Sequence, residues 1–218
     1  MRLPRAAALA LLVLAAAAAR AAPPLLSAAT AIADPARDPA WSALFASLVP
    51  RENRESSFEE RRYFPFRRQP VILTGKIRLA PGRGLSLDYL TPQPRVLIVD
   101  GQGLLMRDAI GREVSLPADA RTQASIAALV DILRFDLAEL QRNFALHGQR
   151  DAAGWTLAFV PRDPLLARSL AALIVRGTGD TVAEIELRAT PRQHIDILVR
   201  ATRRDAVFAP ADWARYFR

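Results

Sequence analysis

The sequence has no cysteine anywhere in its 218 residues. That excludes disulfides, thiolate zinc sites and thiol nucleophiles, together with an N-terminal lipid of the kind built on cysteine. Lysine occurs only at Lys76 and histidine only at His147 and His194, so a histidine-based metal centre or triad has little to draw on. No H-E-x-x-H, G-x-S-x-G or G-x-x-x-x-G-K-[ST] segment occurs. After the first twenty or so residues no apolar run approaches the length of a membrane span. Charge of one sign is never concentrated: arginines alternate with acids in RENRE and FEERR despite a formal net charge of +8. Nucleic acid is therefore not an expected partner, and a weak preference for anionic lipid headgroups is the remaining reading of the charge.

What is present begins with a signal. Arg2 and Arg5 precede an apolar core from Ala6 to Ala19, and Ala19-Arg20-Ala21 offers small residues at a cleavage site. The apolar core is short for a bilayer crossing, so residues 1–21 read as a cleavable secretory signal, with an uncleaved anchor as the other reading. Cleavage falls after Ala21 or Ala22. Residues 22–40, rich in Ala, Pro and Asp, are expected to form a flexible leader, and 41–218 a single exported domain.

Within that domain, Trp41, Leu44, Phe45 and Leu48 recur at helical spacing and predict a short helix ended by Pro50. From about Ser56 the pattern is that of strands. In VILTGKIRL, Leu73, Ile77 and Leu79 share a face, with Gly75 on the same side marking a bend or a close backbone approach. Leu85, Leu87 and Tyr89 alternate next, followed by RVLIVDG, apolar on both faces and closed by an Asp-Gly turn. Between Thr122 and Phe144, Ile126, Leu129, Val130, Leu133, Leu137 and Leu140 predict an amphipathic helical region, with a break possible near Phe135. Strands resume with Trp155, Leu157 and Phe159. Asp163 and Pro164 open a helical turn. Ile185 and Leu187, then Ile195 and Ile197, alternate with polar residues, giving strands with one wet and one dry face. The fold class is α+β: a curled antiparallel sheet forming an incomplete, half-open β-barrel covered by an α-helical lid.

No catalytic constellation stands out, and no enzyme, cofactor or metal site is expected. His194 reads as a solvated strand residue and His147 as a helix-terminal or loop residue. Glu59–Glu60 and Glu184–Glu186 could serve as paired carboxylates, but Glu184 and Glu186 share a strand face with Arg188 and read as a solvated charge ladder. Gly101-Gln102-Gly103 is a hairpin turn. The alternating strands instead supply a candidate lining for an apolar guest: Leu73, Ile77, Leu79, Leu85, Leu87, Tyr89, Trp155, Leu157, Phe159, Ile185, Leu187, Ile195 and Ile197, with Ile126, Leu129, Val130 and Leu133 from the lid. The alternative is that these residues fill an ordinary core.

The order helix, SSFEERRYF, a strand pair with a Gly, a Pro-led strand, a Pro, and VLIVDGQGLLMRD resembles the LolA-like periplasmic outer-membrane lipoprotein carriers. Phe58 and Glu60 match their Phe-x-Gln/Glu strand, Gly75 and Ile77 the G-x-L/I strand, and Pro81 and Pro92 the two prolines. Asp100, Gly101 and Leu104 or Leu105 match the D-G-x-x-L element. Ala80 departs from the family pattern, which has Arg directly before the first proline, and the tail VFAPADWARYFR lacks the usual ending. The resemblance implies a monomeric periplasmic carrier that shields the acyl chains of a lipoprotein, or of another acylated lipid. It would receive cargo from an inner-membrane exporter and pass it to an outer-membrane acceptor. Two other readings remain open: an envelope assembly or sensor module with a filled core, and an exported hydrolase.

Overall fold

The computed structural model describes residues 30–114 and 137–218. The segments read as signal peptide and as lid residues Ile126, Leu129, Val130 and Leu133 lie outside them. The described residues build one antiparallel sheet of twelve strands: β1 (Thr30–Ala31), β2 (Arg54–Tyr63), β3 (Val71–Ala80), β4 (Gly84–Thr91), β5 (Arg95–Asp100), β6 (Gly103–Asp108), β7 (Glu113–Val114), β8 (Phe144–Asp151), β9 (Gly154–Pro161), β10 (Ala172–Thr178), β11 (Thr181–Thr190) and β12 (Gln193–Arg204). Their spatial order is β1-β8-β9-β10-β11-β12-β2-β3-β4-β5-β6-β7. β12 pairs with β2, with Val199 opposite Phe58 and Ile197 opposite Glu60, which joins the two halves of the chain. The edge strands β1 and β7 do not pair with each other, so the sheet stays open. Register shifts in β10, β11 and β12 and at Thr74/Gly75 add local twist.

Among the described residues, four short helices accompany the sheet: α1 (Ser42–Leu48), α2 (Leu137–Asn143), α3 (Pro164–Ala167) and α4 (Pro210–Tyr216). α1 forms where the apolar periodicity placed it and buries Leu44, Phe45 and Leu48. α3 is capped as expected, the Asp163 side chain accepting from the Leu165 N–H at 2.9 Å. α2 is the described part of the amphipathic region. It stops at Asn143, because Phe144 already begins β8.

Residues 30–40 differ from a loose leader. Thr30 and Ala31 pair with Gly148 and His147, and the Ile32 N–H donates to the Leu146 carbonyl at 2.8 Å. The anchor is Trp41, whose ring lies against Gly148, where any side chain would collide with it. His147 therefore belongs to β8, opposite Ala31 and Ala158, and not to a loop or a helix end.

The sheet has cores on both faces. On the inner face, strands β2 to β6 and β8 to β12 share one apolar cluster with α1, Leu140, Leu166 and Leu170. On the outer face, α4 lies over β3–β5. Ala80, Val96 and Ile98 pack there with Ala206, Phe208, Tyr216 and Phe217. This second core explains why VLIV is apolar on both sides. Arg78, which points to the face opposite Leu73, Ile77 and Leu79, is buried there; it pairs with Asp88 at 3.1 Å and Glu55 at 3.0 Å, its guanidinium 3.7 Å from the Tyr216 ring centre. Ala80, only 2% exposed, sits beneath the same helix.

Candidate functional site

The candidate site is the inner face of the sheet. Leu73, Leu85, Leu87, Tyr89, Trp155, Leu157, Phe159, Ile185 and Ile197 are buried members of its cluster, and Ile77, Leu79, Leu187 and Ile195 are partly buried against it. Alternation along each strand turns these side chains to a common side, and the register sets them across from one another. Ile77 faces Leu87, Leu79 faces Leu85, and Leu187 faces Ile195. The thirteen strand residues proposed from sequence for the lining therefore belong to one cluster, whereas the four lid residues lie outside the described residues. The sequence reading predicted α1 but left it out of the lining; Trp41 at its start and Phe45 and Leu48 within it join the same cluster, and their spacing already marked an apolar helix face in need of a partner.

Two cavities lie where α1 meets the sheet. One, of about 110 Å³, is lined by Leu48, Pro50, Ile77, Leu79, Leu85, Val182, Ile185 and Val199, with Arg54, Asp180 and Arg204 among its polar members. A more open cleft of about 430 Å³ adjoins it on the side of Ala43, Ser47, Glu52, Asp180 and Arg204. Arg204 and Asp180 are bonded at 2.5 and 2.8 Å. The Arg204 hydrogen bond holds the Asp180 carboxyl down at about 2.

One acid interrupts the apolar face. Glu60, 2% exposed, accepts from the Tyr89 Oη at 2.6 Å and from Arg62 Nε. Burial, and then the negative Glu60, push the Tyr89 phenol well above its ordinary value. The Tyr89 ring stands edge-on to Phe58, centroids 5.2 Å apart, and the Arg95 guanidinium lies 4.5 Å from the Tyr89 ring centre. Phe58 pairs with Gly75, and Gly75 with Tyr89. A Cβ on Gly75 would strike the Asp88 carbonyl oxygen and the Phe58 ring, so its close backbone approach is real.

The other acids belong to the outer face. Glu184, Glu186 and Asp196 converge to within 4.8 Å. They form a ladder, as their strand spacing suggested, but Glu186 is buried, which corrects the reading of that face as wet. Arg188 Nε donates to Glu186 at 2.5 Å, and Arg176 reaches Glu186 at 3.0 Å and Glu184 at 2.7 Å. Burial opposes ionisation of Glu186, but its bonds to Arg188 and Arg176 outweigh it and lower the pKa. Asp196 moves the other way, raised by burial and by Glu186 and Glu184 against the pull of His194. His194 itself stacks on Tyr63 at 4.3 Å. None of these acids lines either cavity.

Among the described residues, no helix is long and apolar enough to cross a membrane. The family model described as outer membrane lipoprotein carrier protein LolA-like matches residues 54–214. No curated protein sequence matches the chain. Similar solved structures include MucB of Pseudomonas aeruginosa in complex with MucA, at 16% identity and a TM-score of 0.44, covering 78% of this chain and 57% of that one. The chain thus spans little more than half the length of that relative. A LolA superfamily protein from Nitrosomonas europaea is similar at 7% identity and a TM-score of 0.43, covering 79% of this chain and 95% of that one. A putative outer membrane lipoprotein-sorting protein domain from Vibrio parahaemolyticus is similar at 8% identity and 0.39, with coverages of 78% and 92%. With its strands from β2 onward and the first turns of its tail helix α4 within the matched span, the chain belongs to the LolA-like family of outer membrane lipoprotein carrier proteins.

Proposed function

We propose that this protein is a periplasmic carrier that shelters the acyl chains of a lipoprotein, or of another acylated lipid, against the inner face of its sheet. The observation that carries this reading is the gathering of the alternating apolar residues of β3, β4, β9, β11 and β12 into one cluster whose members Ile77, Leu79, Leu187 and Ile195 stay partly uncovered. Each methylene removed from water gains about 0.8 kcal/mol, so an extended apolar wall is the physical requirement for carrying acyl chains through an aqueous compartment. The cavity of about 110 Å³ is smaller than the roughly 300–1,000 Å³ of a ligand pocket. Loading therefore requires the cover over the inner face to shift. The amphipathic segment carrying Ile126, Leu129, Val130 and Leu133 supplies the cover in this reading. Transfer would run from an inner-membrane exporter to an outer-membrane acceptor.

The test is native purification followed by lipid extraction and mass spectrometry, together with titration of a fluorescent acyl probe. Copurified acylated lipid, and probe binding that Leu129→Glu weakens while Glu184→Lys leaves it intact, support the carrier. Absence of both lipid and probe binding overturns it.

One observation favours a second reading. Trp41 and, within α1, Phe45 and Leu48 already occupy part of the inner face, as they would in an envelope assembly or sensor module with a filled core. Such a module binds a protein partner stably with no lipid present, and the same probe titration separates the two.

A further inference from the structure

The two ends of the sheet differ in chemistry. At one end lie the β2–β3, β6–β7 and β9–β10 connections, because β2, β6 and β9 all run toward it. Each presents an exposed apolar residue beside arginine. Phe66, 81% exposed, precedes Arg67 and Arg68; Ile110, 70% exposed, lies near Arg112; Leu165, 62% exposed, lies near Arg168. These arginines are exposed, and among the described residues none of the four forms an ion pair. The carboxylates beside them in sequence are engaged elsewhere: Asp108 accepts from the Ile110 and Arg112 N–H groups, Asp163 from that of Leu165, and Glu113 pairs with Arg107 at 3.8 Å. The opposite hairpin turns, Pro81–Arg83, Gly101–Gln102, Ala152–Ala153 and Gly179–Asp180, carry no exposed large apolar side chain. Their neighbouring charges are engaged, as in Asp180–Arg204 and Asp100–Arg218.

We propose that this arginine-bearing rim docks on an anionic phospholipid surface, with Phe66, Ile110 and Leu165 entering the headgroup region and the unpaired arginines facing the phosphates. An aromatic or aliphatic tip flanked by cations is the composition that partitions to a charged interface, where apolar burial and charge attraction add. A protein partner matching this rim would need a row of acids alternating with apolar pockets, whereas a bilayer offers both without any fixed register. The proposal concerns the rim and not the inner face, so it stands or falls separately from lipid carriage.

The experiment is flotation of the full chain with phosphatidylcholine vesicles and with vesicles that also contain phosphatidylglycerol, at low and high salt. The chain is expected to float with the anionic vesicles and to be released by salt. Arg67→Glu/Arg68→Glu should lower the partition coefficient by at least roughly thirtyfold, the effect of losing two surface arginines, since the added carboxylates also repel the phosphates. Phe66→Ser/Ile110→Ser should also weaken it, and Val207→Ser, exposed at the opposite end, should leave it unchanged. Every variant keeps the same apolar N-terminal segment, so the differences report on the rim. Circular dichroism establishes that each variant is folded. Equal binding to neutral and anionic vesicles, no binding, or an unchanged partition coefficient in the folded charge-reversal variant would overturn the proposal.

Discussion

Phe58 and Gly75 face each other across the β2–β3 pair, and the Phe58 ring fills the space that a side chain on Gly75 would need. The glycine thus lets an aromatic ring lie flat on the neighbouring strand, where it meets Tyr89 edge-on. Gly75→Ala brings a Cβ against that ring and against the Asp88 backbone carbonyl, which cannot swing away as a side-chain tip could. The expected loss is about 1–3 kcal/mol, the usual cost of overpacking. It would be read as a lower urea midpoint at unchanged m-value, and an unchanged midpoint would contradict the packing described.

Tyr89→Phe should cost about 2 kcal/mol, because it removes the donor to a buried carboxylate and leaves Glu60 with Arg62 alone. The same bond has a pH signature. The folded phenol holds its proton above its ordinary value of 10.0, so the folded state binds more protons than the unfolded chain in alkali. Stability from Tyr89 is fully present below about pH 10 and declines as pH rises beyond it. Denaturation midpoints measured across the alkaline range should fall less steeply in Tyr89→Phe than in the parent.

Which parts of this were legible in the sequence follows from how many faces of each element are buried. α1, β3, β4, β9, β11 and β12 have a regular apolar period on one side, and the structure places them as that period predicts. β10 was not: ALIVRGT is buried on both faces, and a strand covered twice loses its alternation. β8 was hidden differently. FALHGQRD carries Gly148 at the point where Trp41 lies on the sheet, so the residue that looks like a breaker is a packing site. The outer core was invisible because its polar members, Arg78, Ser86 and Asp88, look solvated until α4 is laid over them. The same helix accounts for Ala80: a position that carries arginine in the family pattern is here pressed under Phe208, Tyr216 and Phe217. The inner lining was readable residue by residue, but its polar intrusion was not. Glu60 looked like one of a pair of carboxylates on a strand, and only the β2–β12 register turns it inward, opposite Ile197.

Glu186→Gln should destabilise the β10–β12 half by about 3 kcal/mol, since it strips a buried carboxylate from two arginines that remain in place. Burial alone would raise the Glu186 pKa, but its bonds to Arg188 and Arg176 lower it below the ordinary 4.5. Its contribution is therefore present above that value and lost as pH falls through the lower, folded-state one. Acid unfolding followed by tryptophan fluorescence, which reports Trp155 on β9 together with Trp41 and Trp213, should lose part of its pH dependence in the variant.

Asp100 and Arg218 close the outer core with a two-pronged pair: Arg218 Nε and Nη2 each lie 2.7 Å from a carboxylate oxygen, and Nη2 also donates to the Gly103 carbonyl at 3.1 Å. Arg107 meanwhile donates to the Ala214 and Arg215 carbonyls at 2.7 and 2.9 Å, occupying the free end of α4. The helix is thus pinned by a strand arginine at its own carbonyls and by an arginine just beyond it at a strand turn. A fork-to-fork pair that is mostly buried should show a coupling of about 1–2 kcal/mol in a double-mutant cycle of Asp100→Asn and Arg218→Ala. Either single change should also speed hydrogen exchange at Val96 and Ile98, which α4 covers, while leaving Leu157 and Val175 in the inner core protected. Equal acceleration in both cores would mean that the two faces unfold together and that α4 is not a separately held layer.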